Sequence, residues 1–215
     1  MILPLIIIIF CIICTITKKK DEMHIIHKSV LNSNLCESII KVSEKYKLDD
    51  YAEDVDGKPV EQIDIYDDED GCRRHDPVLN KELWDICKNI YDVHIKKYQP
   101  KLPGFVFLRK YTPDERSSLP IHLDGNKMTV SFLLSSKNDC EGGELYLFDR
   151  KTSRENVRVN FETNHGKQEF LNKFKKLPII DYDQGDMISY SGKHHLHGVL
   201  PVTKGFRYAM CFFFD

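Results

Sequence analysis

The sequence predicts a mainly β domain, closed as a barrel or a sandwich, with two helices packed on its outside. Beyond residue 104 the chain breaks into short apolar or aromatic runs of strand length, which glycine, proline and aspartate turns separate. Before that point, two longer stretches carry apolar residues at helical spacing instead. The predicted strands are 105–111, 128–134, 145–148, 187–190, 195–200 and 206–213.

Length and charge narrow the class of protein further. The 215 residues are enough for one domain with a full core. Hydrophobic residues make up 41% of the chain and charged residues 30%, as in ordinary globular proteins. The net charge of −2 gives no basic excess for nucleic acid, so we expect no nucleic-acid partner. The composition leaves the oligomeric state open.

The sequence starts with an apolar leader, which we place at residues 1–20. Residues 2–17 are almost wholly apolar and are followed by three consecutive lysines. This pattern indicates a signal peptide or a short signal anchor, with a buried N-terminal element as a third alternative. We therefore expect a membrane-associated chain with a single-pass anchor, or a protein of the secretory lumen. The lysines favour a cytoplasmic domain by the positive-inside rule, so the side of the membrane stays open.

The seven cysteines form no metal or redox motif outside the leader. Cys11 and Cys14 lie in the apolar run, where we attribute their CxxC spacing to chance. The others are widely scattered, so we expect mostly buried thiols, with one disulfide allowed if the domain is lumenal. These are Cys36, Cys72, Cys87, Cys140 and Cys211.

Residues 21–100 are predicted to pack on the outside of the barrel. A strand is expected near 25–30, and Asn34 has the position of a helix N-cap. The stretch 60–66 alternates in part as a strand does. Residues 81–98 have the spacing of a second helix, which the following prolines end.

Residues 101–215 form the predicted core, with an insertion at 150–178. The insertion is rich in lysine, arginine and asparagine, and a helix is predicted within it at 168–175. Two interpretations stay open for this segment: a solvated charged loop, or a loop that binds substrate.

Three side chains in the core have the pattern of a metal site. His122 and Asp124 are two residues apart, so on an extended strand both point to the same face. His197 can supply a third ligand from a second strand. Two imidazoles and one carboxylate leave one side of an octahedral metal open, as in non-haem Fe(II) oxygenases. The alternatives are a surface histidine with a turn aspartate, a structural role for His197, or zinc in place of iron.

Arg207 follows His197 after a loop that contains Gly205. We predict a hairpin with 203–205 as a three-residue loop and the glycine in the left-handed conformation, which pairs His197 with Cys211. Arg207 and His197 then face the same side, roughly 13 Å apart at strand rise. That distance suits a five-carbon diacid whose far carboxylate meets the guanidinium. A plain salt bridge is the alternative role for Arg207.

An ordered series of segments resembles the iron- and 2-oxoglutarate-dependent dioxygenases. The similarity begins with the strand at 60–66 and continues through the segment 110–115 to His122 and Asp124. It ends in the segment 195–208, which contains the third histidine and the arginine. The catalytic domains of procollagen lysyl hydroxylases are the most similar, with prolyl 4-hydroxylase-like enzymes next. The resemblance covers nearly the whole chain after the leader.

The resemblance implies a double-stranded β-helix, or jelly roll, with iron held by His122, Asp124 and His197. It also implies that Arg207 anchors 2-oxoglutarate. Prolyl 4-hydroxylases typically carry lysine at that position, so the arginine favours the lysyl type. Fe(II), 2-oxoglutarate and O2 are the implied cofactor and co-substrates, with L-ascorbate to rescue oxidised iron. Enzymes of this type often work in the secretory lumen.

Three further residues are assigned to the neighbourhood of this site. Tyr111 is either a core residue or a contact of the co-substrate. Ser131 stands where lysyl hydroxylases have an asparagine near the co-substrate, and its hydroxyl can still donate to a carboxylate. His195 shares the face of His197, so it either lines the pocket or packs behind it.

These observations predict a dioxygenase that hydroxylates a peptidyl lysine or proline in a collagen-like peptide or protein, giving succinate and CO2. A dioxygenase that acts on a free small molecule or on nucleic acid is one alternative. A non-catalytic sugar- or peptide-binding module on the same fold is another, although neither a ligand nor the arginine is missing from the sequence.

Overall fold

Strands hold more residues than helices in the parts of the chain that the computed structural model describes, which are 24–49, 51–68, 76–156 and 164–215. The apolar leader and Cys72 lie outside them. The strands are β1 Ile25–His27, β2 Gln62–Asp67, β3 Phe105–Tyr111, β4 Leu119–His122, β5 Met128–Leu133, β6 Cys140–Gly142, β7 Leu145–Leu147, β8 Met187–Tyr190, β9 His197–Val199, β10 Val202–Gly205 and β11 Arg207–Phe214.

The strands form an antiparallel jelly roll, which confirms the predicted fold class. A six-stranded sheet has the order β1-β8-β5-β11-β3-β2, and a three-stranded sheet has the order β4-β9-β7. β10 and β6 form a separate two-stranded ribbon. One apolar cluster joins the two larger sheets, because Tyr111 and Ile188 of the first pack with Leu119 and Val199 of the second.

Side chains along β11 point alternately to the two faces of the six-stranded sheet. Met210 and Phe212 belong to an outer core, whereas Arg207 and Cys211 line a cavity between the sheets. Two helices cover the outer face, as predicted, and contribute fully buried side chains such as Ile39 to that core. They are α1 Ser33–Ser43 and α2 Lys81–Ile90, which continues as a π-helical turn at Tyr91–Ile95.

The N-cap of α1 is Asn32, so the prediction of Asn34 was wrong. The Asn32 side chain accepts a hydrogen bond from the Leu35 N–H at 2.9 Å. Both asparagines can cap a helix, but Leu31 donates its N–H to Gly185 O at 2.9 Å. This bond holds the chain in place directly before Asn32, where a cap needs extended backbone.

The predicted hairpin between His197 and Cys211 is absent. β9 pairs with β4 and β7, whereas β11 lies between β3 and β5, so the two strands belong to different sheets. The segment between them forms β10, which takes its partners from β6. Gly205 does adopt the predicted left-handed conformation, with φ 75°. A Cβ there would meet Asp139 O at 1.9 Å, so the close approach of β6 also requires glycine.

The insertion holds two helices, α3 Arg150–Asn156 and α4 Asn164–Leu171, and the latter replaces the helix predicted at 168–175. Phe170 of α4 is fully buried against Phe148 and Leu196. The described part of the insertion is therefore packed against the barrel and is not a solvated loop.

Residues 51–60 form a hairpin that we call the finger and that the sequence analysis did not predict. Ala52 pairs with Pro59, and Asp56 lies near the tip. The Asp56 carboxylate accepts from Arg116 at 2.9 Å, with side-chain exposures of 4% and 3%. Lys167 of α4 donates to the carbonyl of Val55. The finger is thus tied to both the barrel and the insertion.

The expectation of a membrane-associated chain is corrected by one finding. Among the described residues, none of the helices is both long enough and apolar enough to span a bilayer. The run 2–17, which prompted the expectation, lies outside those residues.

Candidate metal and co-substrate site

Three predicted ligands converge at one end of the three-stranded sheet. His122 ends β4 and pairs across the sheet with His197 on β9. Asp124 follows two residues after His122, and its Oδ1 lies 3.3 Å from His122 Nε2 and 3.5 Å from His197 Nε2. One ligand atom from each residue lies within 4.8 Å of the others. The cross-strand pairing therefore creates the cluster, and the two-residue spacing brings in the carboxylate.

The hydrogen bonds of the two imidazoles fix which nitrogen faces the carboxylate. His122 Nδ1 lies 2.8 Å from Pro120 O, and His197 Nδ1 lies 2.9 Å from His195 O. A carbonyl oxygen can only accept, so both Nδ1 atoms carry the proton. Nε2 is then the nitrogen of each ring that faces Asp124, and it is the nitrogen through which these histidines can bind a metal.

Asp124 is held by Thr129 of β5, which in turn contacts Asn126 in the loop before that strand. Thr129 Oγ1 donates to Asp124 Oδ2 at 2.6 Å, and Asn126 Nδ2 donates to Thr129 Oγ1 at 3.1 Å. Gly192 allows this loop to approach, because a Cβ there would lie 2.1 Å from Asn126 Oδ1 and 2.7 Å from Asp124 Cβ. The orientation of the carboxylate is thus set by the fold.

The pKa shifts of the three groups follow from their burial and from their mutual contacts. Burial, and the nearby His197, lower the pKa of His122 below its usual value. Burial opposes ionisation of Asp124, but His197 and His122 together hold its pKa well below the usual range. Burial also acts against protonation of His197, yet Asp124 raises its pKa. A proton on His197 and a divalent cation would satisfy the same carboxylate.

Arg207 provides the second half of the site. Its side chain is 3% exposed, and it has no carboxylate partner among the residues that the structure describes. Its Nη2 donates to Tyr182 Oη at 2.6 Å, and its guanidinium lies 5.3 Å from the centre of the Tyr111 ring. A buried cation without a counter-ion is costly, so this position favours an anionic ligand.

The metal cluster and Arg207 face the same cavity of about 740 Å³. Tyr111 and Ser131 also line it, and Ser131 lies beside Cys211 with 3.5 Å between Oγ and Sγ. The volume lies in the range of roughly 300–1,000 Å³ that is usual for ligand sites. Arg207 reaches the cavity from the sheet opposite His197, so the spacing of about 13 Å that the hairpin predicted is not how the two residues are related.

His195 is placed behind the cavity wall. Its side chain is 1% exposed, and its Nδ1 lies 3.0 Å from Ser191 O. Its backbone carbonyl accepts the proton of His197 Nδ1, so it orients that ligand through its main chain.

The structure adds residues to this site that the sequence analysis missed. Thr129 could have been found from the sequence, because it lies two residues before Ser131 in the predicted strand 128–134 and so faces the same side. Arg109 could have been found in the same way, because it lies two residues before Tyr111. It lines the cavity and pairs with Glu53 of the finger at 2.8 Å. Tyr182 could not have been found in this way, since it lies in an irregular segment after the insertion.

Comparisons with known proteins identify structures with a similar fold. No protein-family model matches the sequence, and no curated protein matches it. One similar solved structure is a prolyl hydroxylase from Trichoplax adhaerens in complex with a hypoxia inducible factor oxygen degradation domain peptide fragment. It is 16% identical to this chain, with a TM-score of 0.57, and the match covers 93% of this chain and 86% of that chain. The chain has the fold of the prolyl 4-hydroxylase-like 2-oxoglutarate and Fe(II) oxygenases.

Two other solved structures with this oxygenase fold contain ligands. A viral collagen prolyl hydroxylase from Paramecium bursaria Chlorella virus-1, in complex with 2-oxoglutarate, is 16% identical, with a TM-score of 0.52 over 88% of this chain and 93% of that chain. HygX from Streptomyces hygroscopicus, with nickel and 2-oxoglutarate bound, is 14% identical, with a TM-score of 0.55 over 93% of this chain and 86% of that chain.

The residues present fit a divalent metal and a diacid. Two imidazole lone pairs and one carboxylate oxygen converge on the same point, which is a donor set that suits Fe(II). The Arg207 guanidinium, buried without a carboxylate partner in the described part of the chain, fits the distal carboxylate of 2-oxoglutarate.

Proposed function

We propose that the chain is an Fe(II)- and 2-oxoglutarate-dependent dioxygenase that hydroxylates a lysine or proline side chain in a peptide or protein. One observation carries the proposal: a buried cluster of two histidines and an aspartate shares a cavity with a buried arginine that lacks a carboxylate partner in the described chain. His122, Asp124 and His197 would hold the metal, and Arg207 would hold the distal carboxylate of the co-substrate.

A peptide substrate is supported by aromatic residues that line the cavity and by proteins of similar structure. Phe105, Phe107 and Phe213 form an aromatic cluster that lines the cavity, with ring centroids 5.1 to 6.2 Å apart. The Trichoplax enzyme is in complex with a peptide, and the viral enzyme is a collagen prolyl hydroxylase. The similarity of this sequence to lysyl hydroxylases adds lysine as the second candidate residue.

The chain's own side chains would bind and orient the reactants. When bound, iron with 2-oxoglutarate supplies the oxidation, in which O2 and the keto acid yield succinate and CO2 and one oxygen atom enters a substrate C–H bond. The backbone carbonyls of Pro120 and His195 keep both histidines in the metal-binding tautomer. Thr129 fixes the carboxylate of Asp124. The two packed sheets exclude water from Arg207, which strengthens its attraction for a carboxylate.

The test is turnover with candidate peptides. The purified chain is incubated with Fe(II), 2-oxoglutarate, ascorbate and collagen-like peptides that contain lysine or proline. We expect succinate together with one added oxygen atom on one residue type, read by mass spectrometry. A His122→Ala variant is the control. Succinate no higher than in that control would overturn the activity, whereas succinate without peptide oxidation would overturn only the substrate.

A further inference from the structure

Lys167 of α4 is the one buried lysine among the residues that the structure describes. It is 7% exposed, and its ammonium donates to the carbonyl of Val55 in the finger. Burial lowers the pKa of Lys167, and the nearby Asp56 carboxylate opposes that shift. Burying a charged group costs free energy, because the group loses its water. The hydrogen bond is directional, so it fixes where the finger lies relative to α4.

Val55 connects this contact to the cavity. Its side chain packs against the apolar cluster between the two larger sheets, and it lines the cavity together with Glu53 and Asp54. The next residue, Asp56, is held from the barrel side by Arg116 at 2.9 Å. The finger is therefore held at two consecutive residues, once by the insertion and once by the barrel.

The hydrogen bonds inside the finger are those of a short hairpin. Glu53 donates its N–H to Lys58 O at 2.8 Å, and Val60 donates its N–H to Tyr51 O at 3.0 Å. An isolated two-stranded hairpin is at best marginally stable in water. The position of the finger beside the cavity therefore depends on the contacts at Val55 and Asp56.

α4 gives Lys167 a fixed base. Phe170, three residues later, is fully buried against Phe148 and Leu196. Phe148 also donates its N–H to Leu196 O at 2.8 Å, directly before His197. The insertion thus links the finger to the strand that carries one of the proposed metal ligands.

We propose that Lys167 is a positioning residue, through which the insertion fixes the finger beside the cavity and sets the affinity for the peptide substrate. Finger residues such as Glu53 and Asp54 line the cavity and would meet the peptide, whereas Lys167 acts through the Val55 carbonyl. The effect on the peptide rests on the proposed function. The hold on the finger does not.

The first test is hydrogen exchange of the full chain, read by mass spectrometry without metal or substrate. Lys167→Glu should speed the exchange of the finger amides by about tenfold or more, since the donor is lost and a carboxylate faces the Val55 carbonyl and Asp56. Lys173→Glu makes the same charge change at an exposed position just after α4, and should leave the finger as in the wild type.

Unchanged finger exchange in Lys167→Glu would overturn the inference. If exchange also rises in α4, the new charge has disturbed the helix, and Lys167→Ala decides, because alanine removes the donor and favours a helix. Finger exchange in Lys167→Ala equal to that of the wild type would then overturn the inference, whereas faster exchange confined to the finger supports it.

The second test uses a peptide that the chain hydroxylates. Lys167→Ala should raise the KM for the peptide by about fivefold or more and leave kcat within about twofold, because only substrate binding is weakened. A lower kcat with an unchanged KM would overturn the link to the substrate. If the wild-type chain hydroxylates no peptide, the proposed function fails, and the exchange experiment still decides whether Lys167 holds the finger.

Discussion

At the residue scale, Asp124 is the group on which the proposed metal site depends. It contacts both histidines, and a single short hydrogen bond from Thr129 orients its second oxygen. Removing a side chain that hydrogen-bonds to a metal ligand typically lowers metal affinity by roughly 10–100-fold. The position of Thr129 therefore matters although it contacts no metal itself.

Thr129→Val should lower the affinity for Fe(II) or Mn(II) by about 10–100-fold, because the carboxylate of Asp124 loses its donor. Metal titration followed by calorimetry measures this. Thr203→Val is the control, since that exposed threonine donates only to the Glu141 carbonyl. Equal metal affinity in Thr129→Val and the wild type would contradict the prediction.

The sequence could indicate side chains that cluster in the structure because their spacing has local geometric meaning. His122 and Asp124 are two residues apart, which predicts that their side chains lie on one side of an extended chain, and the resemblance assigns His197 and Arg207. Tyr182 could not be found in this way, because no periodicity connects it to Arg207 twenty-five residues later in the chain.

At the element scale, the turn before β8 joins the N-terminal region to the barrel. Gly185 has φ 80°, and a Cβ there would lie 2.0 Å from Leu31 O. Next to it, the Asp186 carboxylate accepts from Lys28 Nζ at 2.9 Å and from the Ser29 N–H at 2.7 Å. A side chain at position 185 would therefore push β1 away from β8.

Gly185→Ala should lower the free energy of unfolding by about 2–4 kcal/mol, since it adds both a clash and an unfavourable φ. Urea denaturation measures the change. Gly125→Ala is the matched control: its Cβ would meet nothing within 4 Å, so we expect a change within about 0.5 kcal/mol. A similar small change in both variants would contradict the account of this turn.

Glu61 makes the stability of the β2 edge dependent on pH. Burial, followed by the neighbouring Glu115, raises the pKa of Glu61 to about 7 from an ordinary value of 4.5. A carboxyl whose pKa is raised in the folded state stabilises the fold fully below its unfolded pKa. That stabilisation is lost as the pH rises through about 7.

Glu61→Gln should therefore raise the Tm relative to the wild type at about pH 8 and change it little at about pH 5. Thermal unfolding at both pH values tests this. An equal shift at the two pH values would show that the substitution acts through packing and not through the charge.

Element positions were easier to predict than their pairing. The prediction of 105–111 matches β3 and that of 187–190 matches β8, because buried apolar runs and turn residues are local signals. The hairpin failed because the partner of 202–205 is β6, more than fifty residues earlier, and no local pattern encodes that choice. Arg207 still reaches the site, because β11 presents alternate residues to the cavity.

At the scale of the whole molecule, the cavity is a space between two sheets that the finger partly covers. Tyr51 and Glu53 of the finger line it, and Glu53 pairs with Arg109, which lines the cavity as well. The tip is fixed by the Asp56 and Arg116 pair, which is almost fully buried. Removing one partner of such a pair leaves an uncompensated buried charge.

Asp56→Asn should destabilise the chain by about 3 kcal/mol, because the Arg116 guanidinium loses its carboxylate partner. Asp54→Asn, at an exposed position on the same finger, should change stability by less than about 0.5 kcal/mol. Urea denaturation compares the two variants. If they lose the same stability, the finger is not held by the Asp56 contact.

Two proposed half-sites, the His122, Asp124 and His197 cluster and Arg207, face one cavity, and binding without O2 tests both most directly. Equilibrium titration with Fe(II) and then 2-oxoglutarate is performed on the wild type, Asp124→Ala and Arg207→Leu. We predict one metal per wild-type chain, no metal in Asp124→Ala, and metal without 2-oxoglutarate in Arg207→Leu. Metal uptake by Asp124→Ala equal to that of the wild type, or 2-oxoglutarate affinity unchanged in Arg207→Leu, would contradict the account.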